Sequence, residues 1–219
     1  MIFDYFEKAF YINLEKREDR KNLFEKRIAK FNLNIERFNA ITLPDYQETN
    51  PYFKNSPQRN QKIACSLSHL TIINTAKQFG WRNVLIFEDD CVFVDDFDKK
   101  IVPYINELKN KDWYLFYMGG EPNAECKKVG DYLYKCENGG FYGTHAYAIN
   151  HTFYDEILKT NPFNQETIDV IYLNNRYNNK YYLTKELLVY QDDDLYSDLW
   201  GQVIKRTNTY ESAYKKYVI

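Results

Sequence analysis

Residues 84–93 read Val84-Leu-Ile-Phe-Glu88-Asp89-Asp90-Cys-Val-Phe93, and this stretch decides the fold. An apolar run of the kind that forms a buried parallel strand ends in three carboxylates and then resumes. Because an unpaired buried carboxylate costs several kcal/mol, we expect these residues where the strand leaves the sheet. In an open α/β sheet that position is the crevice in which ligands bind.

The order of the three carboxylates predicts a site for a divalent cation. Side chains alternate along a strand, so Glu88 and Asp90 are expected on one face and Asp89 on the other. Two hard oxygen donors on one face suit Mg²⁺ or Mn²⁺ that carries a diphosphate. The alternative is a solvated strand end or a helix cap. The buried character of the preceding strand favours the metal and diphosphate hypothesis.

Composition limits the classes of function. A chain of 219 residues with 44% hydrophobic residues is long enough for one α/β domain with its own core. A net charge of −2 gives no electrostatic footprint for nucleic acid, so no nucleic-acid partner is expected. The segment Met1–Lys8 has no basic stretch followed by an apolar one, and no later segment reaches membrane-spanning length. These features predict a cytoplasmic protein without an integral membrane segment.

The four cysteines divide into two pairs. Cys65 and Cys91 lie in apolar segments and are expected to be buried thiols. Cys126 and Cys136 are placed symmetrically about residues 130–132, so a hairpin that turns there would bring them opposite each other. A reducing cytoplasm favours free thiols over a disulfide at this pair.

The amino-terminal segment predicts a βαβ unit. Ala9–Leu14 is a first strand, Asp19 is a candidate N-cap of a helix, and Ile35–Ile41 is a second strand. The crossover of such a unit is almost always right-handed. A polar, proline-containing loop is then expected over Thr42–Asn60, because no period is visible there.

A core helix is predicted over Gln58–Phe79, with His69 on one of its apolar stripes. A hydrogen-bonded core histidine is favoured at that position over a ligand or base. The remaining chain predicts a strand that is ended by the Gly119-Gly120 pair and a later strand that ends at Ile149. Two helices, a last strand and an unassigned tail follow at Thr152–Leu158, Thr167–Leu173, Leu187–Tyr190 and from Lys205.

Six short segments form a specific series because they occur in one order. They are Tyr11–Arg20, Glu36–Ala40, Ala64–His69, Leu85–Asp90, Thr144–Ile149 and Ser197-Asp198. By this series the chain resembles glycosyltransferase family 25, the lipooligosaccharide and collagen galactosyltransferase-like group, over about residues 10–198. The resemblance implies a single domain over 1–219, with the 205–219 tail unassigned. It also implies an α/β fold of the GT-A type, a Rossmann-like mixed sheet flanked by helices.

The resemblance further implies a metal-dependent, inverting transfer of galactose or glucose from a UDP-sugar. The acceptor would be a hydroxyl of a glycan, a lipooligosaccharide or a protein, and the cofactor Mn²⁺ or Mg²⁺. Glu88-Asp89-Asp90 takes the place of the family's DxD-type motif. Asp90 is then the expected direct metal ligand, and Glu88 faces either the ribose or the metal.

Other site residues follow from the same resemblance. Asn13, Arg17 and Arg20 are expected near the nucleotide, with an exposed helix start as the alternative. Thr144 and His145 are expected to line the donor pocket, and an ordinary strand start is the competing interpretation.

The acceptor side requires a carboxylate that accepts the proton of the attacking hydroxyl. Asp169 is the candidate base, with a solvated helix surface as the alternative. Asp192, Asp194 and Asp198 could supply a further metal ligand or contact sugar hydroxyls, or could form a solvated acidic loop.

Two other functions compete with glycosyl transfer. One keeps the fold without turnover, as a non-catalytic protein that binds a nucleotide sugar or a partner. The other is a metal-dependent phosphatase or nuclease, which needs two close metal ions or a nucleophilic aspartate. The resemblance and the pI near 6.0 argue against the second.

Overall fold

The computed structural model describes residues 5–31, 33–43, 59–136, 139–161, 163, 167–174 and 180–218. Most of the loop predicted over Thr42–Asn60, residues 44–58, lies outside the described residues. The helices are α1 (Glu18–Ile28), α2 (Arg59–Gln78), α3 (Phe97–Leu108), α4 (Tyr154–Leu158), α5 (Ile168–Asn174) and α6 (Thr207–Tyr217), with a 3₁₀ turn at His151–Phe153 before α4. Among these residues, no helix is long and apolar enough to cross a membrane.

Eight strands form one mixed sheet, in the order β2-β1-β3-β8-β5-β9-β7-β6. Their bounds are β1 (Lys8–Asn13), β2 (Glu36–Asn39), β3 (Asn83–Glu88), β5 (Leu115–Pro122), β6 (Cys126–Lys128), β7 (Leu133–Cys136), β8 (Phe141–Asn150) and β9 (Tyr181–Thr184). Strand β1 pairs in parallel with β2 and β3, which confirms the predicted βαβ unit. Strand β3 pairs antiparallel with β8, so the sheet is mixed and the predicted fold class is confirmed.

Two small ribbons complete the strands. Strand β4 (Cys91–Phe93) pairs antiparallel with β10 (Val189–Gln191), and β11 (Tyr196–Ser197) pairs with β12 (Gln202–Val203). The first ribbon continues directly from the acidic end of β3. It therefore brings the segment after residue 188 beside the three carboxylates.

The core lies on both faces of the sheet, because successive residues of a strand point to opposite sides. In β3, Val84 and Ile86 pack with residues of α2, α4 and α5. Leu85 and Phe87 pack on the other face with residues of α1 and α3. All four side chains are fully buried, as expected for a central strand covered on both sides.

Strand β5 corrects the prediction that Gly119-Gly120 ends a strand. The strand runs to Pro122, with an irregular register around Gly119. The backbone of the β10 segment crosses here, and Leu188 donates its N–H to the carbonyl of Met118 at 3.0 Å. A Cβ atom on Gly119 would lie only 1.7 Å from the carbonyl oxygen of Val189. Glycine is therefore required by the close approach of two backbones rather than by a turn.

The start of helix α1 and the carboxyl-terminal tail differ from the predictions. Helix α1 begins at Glu18, with Arg17 in the N-cap position, so Asp19 lies in the first turn and not at the cap. Asp19 instead accepts two hydrogen bonds from the Arg17 guanidinium, at 2.9 and 2.8 Å. The tail from Lys205, which had no assigned structure, contains helix α6, and Tyr210 of this helix is fully buried.

The predicted cysteine hairpin is confirmed. Cys126 of β6 lies directly opposite Cys136 of β7 in the antiparallel register. Both residues are buried and both are thiols.

Candidate active site

The acidic end of β3 is built differently from a continued strand. The strand ends at Glu88, and Asp89 and Asp90 form a turn before β4. The predicted alternation over residues 88–90 is therefore wrong after Glu88. Asp89 and Asp90 both contact the guanidinium of Arg20, whereas Glu88 faces helix α2.

Asp89 is held by neighbours on β1 and α1. It forms a buried ion pair with Arg20 and accepts a hydrogen bond from the Asn13 amide at 2.6 Å. The amide oxygen of Asn13 in turn accepts hydrogen bonds from Arg37 at 3.0 and 2.6 Å. Burial raises the pKa of Asp89 to about 7, against the opposing effect of Arg20 and with a further increase from the charge of Asp90.

Asp90 has one satisfied and one unsatisfied carboxylate oxygen. Its Oδ2 lies 3.3 Å from Arg20 and accepts a hydrogen bond from the Gln191 amide at 3.2 Å. Its Oδ1 is buried and has no hydrogen-bond partner within the described ranges. Burial raises the pKa of Asp90, which Arg20 opposes and Glu88 reinforces. An orphaned carboxylate oxygen of this kind fits a divalent cation.

Glu88 lies between β8 and α2. Its Oε1 accepts a hydrogen bond from the Thr144 hydroxyl at 2.9 Å and lies 3.6 Å from Nε2 of His69. Burial would raise the pKa of Glu88, but His69, His145 and the Thr144 hydroxyl outweigh burial and lower the pKa to about 2. The groups around Glu88 therefore favour the charged form of its carboxylate.

A cavity of about 380 Å³ opens at the carboxyl ends of β1 and β3. Its lining includes the acidic triplet and three basic side chains: Lys16, Arg20 and Arg206. Arg20 contacts Asp89 and Asp90 directly. Apolar and neutral residues from the start of α2 and from residues 195–204 complete the lining, among them Cys65, Ser68, His69, Leu195, Trp200 and Ile204. The cavity lies at the crevice position predicted from residues 84–93.

The later aspartates lie at the edge of this cavity or outside it. Asp192 forms an ion pair with Arg27, and its backbone N–H donates to the carbonyl of Asp90 at 2.8 Å. Asp198 forms an ion pair with Arg17 and lies 3.7 Å from Arg20. Asp192 and Asp198 line the cavity, whereas Asp194 is exposed and, among the described residues, not part of the lining.

Several other predicted site residues are not among the residues that line the cavity. Asn13, Arg17, Thr144, His145 and Asp169 do not belong to the lining formed by the described residues. Their predicted roles in donor binding or catalysis remain predictions.

His145 and Asp169 are each held by neighbouring groups. The buried His145 ring lies 3.1 Å from the carbonyl of Val189, and burial lowers its pKa. The carboxylate of Asp169 accepts hydrogen bonds from the hydroxyl of Thr167 and from the backbone N–H of Gly143. Asp169 thus stands at the start of α5, beside β8, as a carboxylate that the acidic triplet does not contact.

A chain of hydrogen bonds that supports Asp90 was not predicted from the sequence. Gln191 donates to Asp90, and the hydroxyl of Tyr210 on α6 donates to the amide oxygen of Gln191 at 2.5 Å. Asp193 accepts the N–H groups of Arg206 and Thr207, which fixes the start of α6. These contacts join residues far apart in the chain, and no local signal marks them.

A comparison of the sequence with models of known protein families gives a match over most of the chain. The family described as "Glycosyltransferase family 25 (LPS biosynthesis protein)" matches residues 6–172. The chain belongs to this family.

Curated relatives carry galactosyltransferase names. Procollagen galactosyltransferase 2 of Homo sapiens is 26% identical over 182 residues, which cover 72% of this chain and 28% of the relative. Procollagen galactosyltransferase 1 of Danio rerio is 30% identical over 132 residues, covering 52% of this chain and 21% of the relative. A relative named "Inactive glycosyltransferase 25 family member 3" of Homo sapiens is 27% identical over 177 residues, covering 72% and 29%. The chain thus spans less than a third of the length of these relatives.

Solved structures with a similar arrangement have low identity. A glycosyltransferase involved in the glycosylation of the major capsid of PBCV-1 has a TM-score of 0.43 at 10% identity, covering 97% of this chain and 98% of that one. UDP-glucose pyrophosphorylase complexed with UDP-glucose has a TM-score of 0.46 at 8% identity, covering 95% and 80%. At these scores neither similarity bears on function.

Proposed function

We propose that this chain transfers galactose or glucose from a UDP-sugar to a hydroxyl group of a glycan, lipooligosaccharide or protein acceptor. The observation that carries the proposal is the cavity at the carboxyl ends of β1 and β3, whose lining contains both carboxylates and basic side chains. A nucleoside diphosphate needs both, because its phosphates bind cations while a metal ion is held by carboxylates. Membership of glycosyltransferase family 25 supports the same class of reaction.

The residues at the cavity fit Mn²⁺ or Mg²⁺. Asp90 would hold the ion through its unpartnered Oδ1, and Glu88, whose pKa is lowered by its neighbours, is the second candidate ligand in the triplet. Asp192 and Asp198 could bind the ion only after their ion pairs with Arg27 and Arg17 are broken. When bound, such an ion stabilises the negative charge of a diphosphate leaving group.

The proposed transfer inverts the configuration of the sugar. The acceptor oxygen forms a bond to the anomeric carbon while the bond from that carbon to the diphosphate oxygen breaks, and UDP leaves with the electron pair. The acceptor proton passes to a carboxylate, for which Asp169 is the candidate. Arg20, Lys16 and Arg206 supply positive charge in the lining of the same cavity.

A non-catalytic nucleotide-sugar-binding protein is the second candidate. Three aspartates in or near the proposed metal site are already paired with arginines, namely Asp89 with Arg20, Asp192 with Arg27 and Asp198 with Arg17. An arginine in place of a metal ion would neutralise these carboxylates and keep the site folded without turnover. Two relatives whose names contain the word inactive, each 27% identical to this chain, support this second candidate.

The test compares binding with turnover. UDP, UDP-galactose and UDP-glucose are titrated with and without Mn²⁺, and UDP formation is measured with water and with hydroxylated acceptors. Transfer requires Mn²⁺-dependent binding and UDP formation. The control variant Asp95→Asn should match the wild type in both measurements, because exposed Asp95 pairs only with Lys30 among the described contacts. Binding without UDP formation supports the non-catalytic candidate, and absence of nucleotide binding contradicts both.

A further inference from the structure

Three side chains of different chemistry meet at the lining of the cavity, where two residues of α2 approach Glu88, the first carboxylate of the acidic triplet. Cys65 and His69 are four residues apart on α2, so they share one face of the helix. Glu88 approaches them from the end of β3. One ligand atom from each residue lies within 4.8 Å of the others, the one such group of three found in the described part of the chain.

The ring of His69 provides a second, independent observation. The side chain is fully buried, and its Nδ1 lies 3.0 Å from the hydroxyl of Tyr147. Its Nε2 points towards Glu88 at 3.6 Å, beyond hydrogen-bond distance, and no residue that the structure describes offers it a hydrogen bond. A buried ring nitrogen without a partner carries a desolvation cost that a metal ion would remove.

The surroundings of His69 resemble those of a metal ligand. Metal-bound histidines usually hydrogen-bond through their other ring nitrogen, which fixes the orientation of the ring. Here the Tyr147 hydroxyl has that position, and it is itself 2.8 Å from the hydroxyl of Tyr172. This chain of buried hydroxyls can shift its protons so that Nε2 of His69 presents a lone pair.

We propose that Cys65, His69 and Glu88 form a binding site for a thiophilic divalent ion such as Zn²⁺. Sulfur and imidazole ligands select ions of this class, whereas an all-oxygen site at Asp90 suits Mg²⁺ or Mn²⁺. The three residues also line the cavity, so the fourth coordination position faces its interior. Binding forms a metal–sulfur bond and releases the thiol proton of Cys65 to solvent.

The geometry requires only side-chain movement. A tetrahedral ion with bonds of about 2.0–2.3 Å places its ligand atoms about 3.3–3.8 Å apart. The present separations of up to 4.8 Å are about 1 Å longer, a change within reach of side-chain rotation in Cys65 and Glu88. A bound ion would tie α2 to the end of β3 and would compete with Thr144 for Glu88.

Cobalt titration tests the site without any assay of activity. Co²⁺ added to the full chain should give a thiolate-to-cobalt charge-transfer absorption at one equivalent, and Zn²⁺ should abolish it. The absorption should be lost in Cys65→Ala and in Cys65→Ser, and retained in Cys126→Ala, a buried cysteine outside the site. It should also persist in Asp90→Asn, which separates this site from the proposed donor metal.

Thermal melting provides the second readout. Zn²⁺ should raise the melting temperature of the wild type and of Cys126→Ala, because an ion that binds only the folded state stabilises it. It should leave Cys65→Ala unchanged. The proposal is overturned if the folded wild type shows no thiolate absorption with Co²⁺, or if Cys65→Ala keeps the absorption and the shift.

Discussion

The two halves of the sheet bury polar groups in different ways. At the carboxyl ends of the parallel strands β1 and β3, the buried polar residues are charged or amide groups such as Asn13 and Asp89. On the antiparallel strands β5 and β8, the largest buried side chains include Tyr117 and Tyr147, and Tyr172 of α5 packs beside Tyr147. The buried carboxylate–arginine contacts thus lie at the parallel strand ends, whereas these tyrosines form an aromatic region with neutral hydroxyls. Substitutions should therefore have large, specific effects in the first region and small, general ones in the second.

The largest effect is expected at Arg20. Its side chain is 8% exposed and contacts Asp89 and Asp90, so Arg20→Met leaves buried carboxylates without their cation. Removing one partner of a buried ion pair typically costs about 3–5 kcal/mol of unfolding free energy. Chemical denaturation of both proteins measures the loss.

Lys30→Met is the matched control for Arg20→Met. Lys30 and Asp95 are an exposed ion pair, with side chains 52% and 92% accessible. Pairs of this kind contribute about 0–1 kcal/mol. Equal losses in the two variants would mean that buried charge is not what distinguishes the strand-end region.

The next effect concerns turnover at Asp90. Asp90→Ala removes the carboxylate whose Oδ1 is unpartnered, so metal-dependent UDP formation should fall by about 10³-fold or more, equivalent to about 4 kcal/mol. Stability should not fall, because the substitution also removes a buried like charge beside Glu88. UDP release and thermal melting are measured together, and turnover retained in a folded variant excludes Asp90 as a metal ligand.

A smaller loss is expected at Asp169. Asp169→Asn keeps the shape of the side chain and should leave affinity for the donor and Mn²⁺ nearly unchanged. Turnover should fall by about 10²-fold if Asp169 accepts the acceptor proton. Weaker donor binding with little change in kcat would instead make Asp169 a binding residue, and the base would then be sought among Asp192, Asp194 and Asp198.

The smallest effect is expected in the tyrosine region. Tyr147→Phe removes a hydroxyl that lies 3.0 Å from Nδ1 of His69 and 2.8 Å from the hydroxyl of Tyr172. The loss of unfolding free energy should be about 1–3 kcal/mol, because buried partners remain without a hydrogen bond. A loss as large as that of Arg20→Met in parallel denaturation curves would contradict the contrast between the two regions.

The fold was largely predictable because its signals are local. Residues 84–93 predicted a buried strand with an acidic end, and the βαβ unit followed from the order of short segments. The symmetric cysteines also predicted the register of β6 and β7. His69 is buried and hydrogen-bonded to Tyr147, as predicted, although we propose its Nε2 as a metal ligand. Each of these features depends on periodicity or on neighbours that are close in sequence.

The site was less predictable because its contacts are distant in sequence. The pairing of Asp192 with Arg27 and of Asp198 with Arg17 depends on how β10 and α1 meet in space. Gly119 looked like a turn because the backbone that crosses it comes from residues 188–189. The unpartnered Nε2 of His69 likewise appears only when Glu88 and α2 are placed together.

The link from Tyr210 through Gln191 to Asp90 has a consequence for biosynthesis. The helix that supports the hydrogen-bond partner of Asp90 begins at Thr207, so it is synthesised long after Asp90 itself. The sheet strands β1 and β3 can pair before then, so the nascent chain holds its acidic cluster with that support still missing. A ribosome-bound chain stalled before residue 207 should consequently be folded in part, with Gln191 and Asp90 lacking the support of Tyr210.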